Sequence, residues 1–398
     1  MEKLFQYSIN RINSVSTEFN RYLLHKINWK DRLIAIIGAR GIGKTTLLLQ
    51  YIKINLANNP SQVLYANLDD LYFSRNTIVD FADAFVKRGG KYLFLDEIHK
   101  YKNWSQEIKN IYDYFEELKI VITGSSALDI FKGEADLSRR AITYRMQGLS
   151  FREYIMLKHK IEFPILNLEG ILDHANEYIP KIIQKIKPIK LYETYLKEGY
   201  YPFFMEGDEK YPIQLKQTVN HVLDNDLPSV ERIDFAAVDK LRILFSEIAE
   251  IAPFKPNILK LSQQVGVSRE TLIKYLYLLS KADLLMLLQS KNFGISKMNK
   301  PEKIYLNNPN LVHTLTDANA NAGMLRETFF YNQLKLDHLV QYTDKGDFLV
   351  DKKFTFEIGG KHKTRKQIAN TQDSYVVADQ IEYAFEKKIP LWLFGFLY

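Results

Sequence analysis

An α/β fold with a parallel sheet covered on both faces is predicted for the first 150 residues by three observations. Short apolar strands alternate there with helical stretches, GARGIGKT (38–45) joins one strand to a helix, and YLFLDE (92–97) ends another strand in two acids.

Residues 1–28 read as a helix, because Leu4, Ile9, Ile12, Phe19, Leu23 and Leu24 fall roughly on one face. Strand candidates follow at 32–37 (RLIAII), 63–68 (VLYANL), 91–95 (KYLFL), 119–123 (KIVIT) and 141–146 (AITYRM). Helical stretches such as 44–57 and 104–117 separate most of them. The alternation stops near residue 150. Residues 151 to about 250 are mainly helical, broken by Pro164, Pro180, Pro202, Pro212 and Pro228. Segment 259–290 then reads as a helix, a turn at Gly266 and a second helix with Ser268 as N-cap and Glu270 in its first turn. Beyond residue 300 the pattern is mixed again. A helix is expected at 323–336, strands around 348–350 and 354–358, a helix near 375–387, and a last strand at LWLFGF.

Composition narrows the chemistry. The 398 residues contain no cysteine, which excludes disulfides, zinc ribbons and thiol nucleophiles and suits a reducing compartment. The N-terminus lacks the continuous apolar core of a signal peptide, and apolar runs such as 33–37 and 284–288 are too short to span a bilayer. A cytoplasmic protein with no membrane association is expected. The net charge of +7 and pI near 9.0 suit nucleic acid and a scatter of surface lysines equally well.

The glycines of GARGIGKT let the backbone curl so that several N–H groups aim at a phosphate, and the following helix adds the positive end of its dipole. Gly38, Ala39, Arg40, Gly41, Ile42, Gly43, Lys44, Thr45 and Thr46 therefore form the expected ATP site. Lys44 is expected on the β and γ phosphates and the Thr45 hydroxyl on Mg²⁺. The two acids of YLFLDE stand where ligands of open α/β sheets bind, Asp96 for the Mg²⁺ shell and Glu97 for the attacking water.

With an additional strand (63–68) between the two motifs and a glutamate directly after the aspartate, the chain resembles the AAA-type branch of P-loop ATPases. That resemblance implies a polar γ-phosphate sensor in TGSS (123–126), with Ser125 as the best match and Thr123 and Ser126 beside it. It also implies an arginine finger acting on a neighbour's ATP, at Arg139 or Arg140, and hence a homo-oligomer. Two surface arginines are the alternative. No second sensor arginine stands out in 151–235.

LDEIHKYKNW (95–104), SRRAITYRMQGLSFREY (138–154), YLKEGYYP (195–202) and FEIGGKHKTRKQI (356–368) carry a closer resemblance, which covers essentially the whole chain. It is to prokaryotic AAA-type ATPases with a winged helix and a C-terminal domain of the restriction-endonuclease-like PD-(D/E)XK class. The implied division is an ATPase core at 1–155, a helical lid-like region at 156–235, a winged helix at 236–300 and a small α/β nuclease-like domain at 301–398. Arg269, Lys274 and Lys281 stand on the second helix of the winged segment, which either enters DNA or packs against protein. The nuclease-like class implies Mg²⁺ held by acids matching Glu327, Asp347 and Glu357, with Lys361 or Lys363 beside the cleaved phosphate. Glu357 is followed by Ile-Gly-Gly-Lys, not by one residue and a lysine, which departs from the class pattern. Segment 351–370 carries six Lys or Arg against two acids, which suits phosphate contact. The expected function is a Mg²⁺-dependent mechanochemical or switch ATPase acting on or near DNA. An ATP-gated DNA endonuclease and a signalling switch that binds only protein are the alternatives.

Overall fold

The computed structural model describes residues 2–124, 137, 139–228, 235–290, 300–316 and 321–398. Two compact units emerge, one running to Gln147 and the other beginning at Gly148.

In the first unit, β1 (Leu33–Ile37), β2 (Val63–Asn67), β3 (Tyr92–Asp96), β4 (Lys119–Gly124) and β5 (Ile142–Arg145) form one parallel sheet in the order β2-β3-β4-β1-β5. β1 is buried along its whole length, as an apolar run covered on both faces must be. Alternate side chains sort to the two faces. Leu33, Ala35, Ile37, Leu93, Leu95, Ile120 and Ile122 pack with Phe81 and Phe85 of α4 (Ile78–Val86) and with Ile108 and Ile111 of α5 (Trp104–Tyr114). Phe94, from the alternate set, lies 6.1 Å from the Tyr51 ring of α3 (Lys44–Asn55). Each such buried Leu, Ile or Phe contributes about 1.5–3 kcal/mol of transfer free energy.

The single helix expected over 1–28 is interrupted. α1 covers Glu2–Ser14 and α2 covers only Leu23–Lys26. Between them, local bonds such as Glu18 N–H to Ser16 Oγ compete with helical ones. Side chains of α3 collect the carbonyls that this leaves over: Gln50 donates to Ser16 and Phe19, and Lys53 to Asn13 and Val15, all within 2.7–2.8 Å. Tertiary bonding replaced the helix that the apolar spacing predicted.

The second unit is helical at first. Its helix Phe151–His159 opens with a capping box between Ser150 and Glu153, and longer helices follow at Leu168–Ile183, Pro188–Glu198, Tyr211–His221 and Phe235–Ile251. Helices Ile258–Val265 and Arg269–Lys281 are joined through Gly266 at φ 69°, a left-handed turn that glycine adopts without strain. The Ser268 hydroxyl accepts from Thr271 N–H, capping the second of them. An antiparallel pair, β6 (Leu285–Leu288) with β7 (Lys303–Leu306), comes next.

The last sheet has the order β12-β11-β10-β9-β8. β8 (Val340–Gln341), β9 (Phe348–Val350) and β10 (Phe354–Gly359) are antiparallel, whereas β11 (Ser374–Ala378) and β12 (Lys388–Pro390) continue it in parallel. Helix Ala322–Leu334 matches the expectation for 323–336. Two expectations fail here. The region 375–387 is no helix, because SYVVA carries β-branched residues and is buried at every position, as a central strand should be. LWLFGF is a fully buried 3₁₀ segment and no strand, since a short apolar run reports burial without fixing the period.

Candidate active site

The phosphate loop hangs between β1 and α3. Gly41 and Gly43 hold φ of 82° and 96°, where a side chain would be strained. Gly38 is required by space: a Cβ there would meet the Met146 carbonyl oxygen at 2.3 Å and Ile42 Cδ1 at 2.7 Å. Lys44, at the head of α3, donates from Nζ to the carbonyls of Gly38 at 2.9 Å and Ala39 at 2.8 Å. Thr46, the last residue of the expected site, is exposed.

β3 ends in Asp96, which is completely buried. Three hydroxyls satisfy it. Thr45 and Tyr65 donate to Oδ2 at 2.6 and 2.9 Å, and Thr123, from the end of β4, donates to Oδ1. Burial and the adjacent Asp96 carboxylate push the Tyr65 phenol far above its ordinary pKa, so it keeps the proton that it donates to Asp96. Glu97 follows at φ 53° and ψ 44°, a left-handed conformation that is uncommon for a residue with a side chain. Its N–H is shared between Asp96 Oδ1 and Thr123 Oγ1, each 3.2 Å away. Two residues on, His99 Nε2 stands 3.3 Å from Glu97 Oε2.

Thr45, Asp96, Thr123 and the Glu97 amide thus meet at one end of the sheet. Ser125 and Ser126 lie outside the described residues. Of the two arginines, Arg140 forks onto Asp113 with two 3.0 Å bonds and Arg139 is exposed. Sequence reasoning missed Tyr65, whose polar tip is hidden in an otherwise apolar strand, and His99, which stands in plain view in DEIH. It also missed Arg21. This buried side chain donates to the carbonyl of Ile42 in the phosphate loop at 2.8 Å and to that of Gln147 at 2.6 Å.

A second polar cluster gathers residues of helix Ala322–Leu334, β7 and the last sheet. Asp347 accepts from Ile358 N–H at 2.7 Å, and burial, then the neighbouring Glu327 and Glu357 charges, push its pKa up to about 6. Glu327 is bonded by Lys303 Nζ at 2.5 Å and Tyr305 OH at 2.8 Å. Glu357 pairs with Lys363. Lys361, the other candidate lysine, has its carbonyl bonded by Lys388 Nζ. Gly359 decides between the two lysines, because the Lys363 stem crosses it so closely that a Cβ there would sit 2.6–2.7 Å from Lys363 carbons. Among the described residues no group of three or more His, Asp or Glu is arranged to hold a metal ion. Glu327 and Glu357 are each committed to a lysine and Asp347 to a backbone amide, which does not fit a metal cage.

A family described as an AAA domain matches residues 30–155, and one described as a domain of unknown function (DUF8612) matches 189–322. The uncharacterized protein MJ1637 of Methanocaldococcus jannaschii is 30% identical over 289 residues, 70% of this chain and 61% of that protein's length. The chain therefore spans about three fifths of that relative. Among solved structures, the Walker-type ATPase PABY2304 of Pyrococcus abyssi aligns at TM-score 0.41 and 12% identity, covering 75% of this chain and 95% of the other. AMPPCP-bound DnaA from Aquifex aeolicus aligns at TM-score 0.28 and 16% identity, covering 65% and 84%. Likenesses this distant carry no inference about ligands. Residues 30–155, with their parallel sheet and phosphate loop, are an AAA-type P-loop ATPase domain. No helix among the described residues is long and apolar enough to cross a membrane.

Proposed function

Proceeding from an AAA-type ATPase domain over 30–155, we propose that this chain hydrolyses ATP with Mg²⁺ to drive a conformational switch acting on or near DNA. The observation that carries the reading is the 2.6 Å bond from Thr45 Oγ1 to Asp96, which joins the head of the phosphate helix to the acid at the end of β3. Both groups are hard oxygen donors and fit Mg²⁺, which when bound neutralises charge on the β and γ phosphates. The loop N–H groups and the N-terminus of α3 hold the phosphates, and Lys44 exchanges its loop carbonyls for phosphate oxygens. Glu97 accepts a proton from the water whose oxygen bonds to the γ phosphorus as the bond to ADP breaks. Thr123, bonded to both Asp96 and Glu97, takes the sensing role together with Ser125. Arg139, the more exposed of the pair, is the finger in a homo-oligomer.

The DNA-facing part of the proposal rests on the charge of +7 and the six Lys or Arg of segment 351–370. We assign the turn-joined helices 258–281 with the β6–β7 pair to a winged helix, with Arg269 and Lys274 exposed on its second helix. We divide the chain into ATPase core (1–155), lid-like region (156–235), winged helix (236–300) and nuclease-like domain (301–398), the last serving recognition and not cleavage. ATP turnover measured with and without duplex and single-stranded DNA, at two salt concentrations, tests this reading. Stimulation that weakens with salt is expected. No stimulation would favour a signalling switch, and Mg²⁺-dependent nicking of plasmid would favour an ATP-gated endonuclease.

A further inference from the structure

We propose that His99 is a positioning residue for ATP hydrolysis, holding the Glu97 carboxylate in its working orientation. The inference rests on the reading of Glu97 as the group that accepts the water's proton.

Glu97 is the first residue after β3, and its left-handed backbone turns the chain sharply. The turn is completed by Ile98–Lys100 in 3₁₀ form, closed by Lys100 N–H to the Glu97 carbonyl at 2.9 Å and Tyr101 N–H to the Ile98 carbonyl at 3.2 Å. This tight reversal lets a side chain two positions later come back on Glu97. His99 does so, with Nε2 3.3 Å from Glu97 Oε2. Its side chain has no solvent exposure, whereas that of Glu97 keeps 21%. The imidazole is therefore anchored in protein, and the Glu97 side chain keeps some solvent access while the oxygen that faces His99 is buried, the arrangement expected of a fixed support and a working group. A carboxylate oxygen only accepts, so the proposed role requires the imidazole proton on Nε2.

Glu97 is consequently held from two sides. Asp96 and Thr123 hold its amide by hydrogen bonds, and His99 stands at ion-pair distance from its carboxylate, where a small rotation of either side chain aligns a hydrogen bond. A carboxylate on a left-handed backbone and without the imidazole would sample other rotamers, and a displacement of about 1 Å at a reacting group costs on the order of 10²-fold in rate. His99 takes no part in the phosphate contacts proposed above, so ATP binding should not depend on it.

The test compares His99→Leu, which fills the space without a donor, with His99→Gln, whose amide nitrogen reaches about as far as Nε2. Steady-state kcat and KM for ATP are measured alongside calorimetric ATP affinity, with Glu97→Gln as reference. The expected result is a kcat lower by about 10²-fold in His99→Leu at KM and affinity within about twofold, and recovery to within about tenfold in His99→Gln. Should His99→Leu not fold, His99→Asn, which keeps the amide but falls short of Glu97, takes its place. Wild-type or faster turnover without the donor, a glutamine variant no better than leucine, or a parallel loss of ATP affinity would overturn the proposal. Full turnover in Glu97→Gln would instead remove the premise about Glu97, which separates the two failures.

Discussion

Arg21 donates to the carbonyl of Ile42, at the crest of the phosphate loop, from a position 21 residues upstream. Its second amine binds the Gln147 carbonyl, so one planar group braces the loop and the chain leaving β5. Arg21→Ala should lose about 2–3 kcal/mol of stability through two buried carbonyls left without their charged donor. ATP affinity should fall about tenfold, although Arg21 is not among the loop residues. Arg21→Lys should restore only part of both, because an ammonium lacks the fork. Denaturation midpoints and calorimetry check this; unchanged ATP affinity in an equally destabilised Arg21→Ala would refute it.

Lys44→Ala and Glu97→Gln should separate binding from chemistry. The first removes the cation of the cradle and should abolish ATP binding. The second fills the same space but takes no proton, so binding persists while turnover drops by more than about 10²-fold. Equal losses of affinity in the two variants would contradict these roles.

Arg139 and Arg140 should also part company. Arg140→Ala and Asp113→Ala break the same exposed pair and should each cost less than about 1 kcal/mol with turnover kept. Arg139→Ala should slow turnover by about 10³-fold, the lower range for arginine fingers. Mixing it with Lys44→Ala subunits should recover activity at shared interfaces. A monomer with ATP bound and full turnover would sink the assignment.

Gly359→Ala should displace Lys363 from Glu357, because the added carbon has no room against the lysine stem. The buried Glu357 carboxylate then loses its partner, at a cost of about 1–3 kcal/mol given that Lys363 is partly exposed. In a Lys363→Gly background, which removes the β, γ and δ carbons that the new methyl would meet, the same glycine change should cost almost nothing more. Additive losses in the double variant would show that the glycine matters for some other reason.

Asp347→Asn should stabilise the protein in a pH-dependent way. Burial and two neighbouring acids raise the folded pKa to about 6 from an ordinary 3.8. Below about pH 4 both folded and unfolded chains carry the proton, and the group takes nothing from stability. As pH rises through about 6 the unfolded chain has already released its proton and the folded chain is penalised for doing so, by up to about 2–3 kcal/mol. The asparagine variant escapes this, so its advantage should grow between pH 4 and pH 7 and then level off. Urea midpoints at the two pH values suffice, and an equal gain at both would argue against a raised pKa.

The ATPase core was legible because its signals are local. β1, α3 and β3 are each specified by a contiguous apolar run or motif, and Thr45 meets Asp96 because parallel strands bring their C-terminal ends to one edge. What could not be read depends on partners far away in sequence. Arg21 and Tyr65 acquire their roles through contacts with Ile42 and Asp96, and nothing in their immediate neighbours announces it. The break in the N-terminal helix has the same origin, since Gln50 and Lys53 take up carbonyls that a helix would have used itself. SYVVA and LWLFGF failed for another reason. Wholly buried segments lose the polar–apolar rhythm from which period is read.

The grip of Gln50 and Lys53 on residues 13–19 makes the N-terminal segment a passenger of α3, the helix whose first residues are Lys44 and Thr45. A tilt or roll of α3 at its phosphate end drags four carbonyl anchors at the other, about 10 Å further along the axis at 1.5 Å per residue. The linker between α1 and α2 thereby becomes a built-in strain gauge. Deuterium uptake across 13–20 should track the nucleotide state even though no atom of that stretch belongs to the phosphate loop, and a spin label at exposed Ser14 would read the same change as altered mobility.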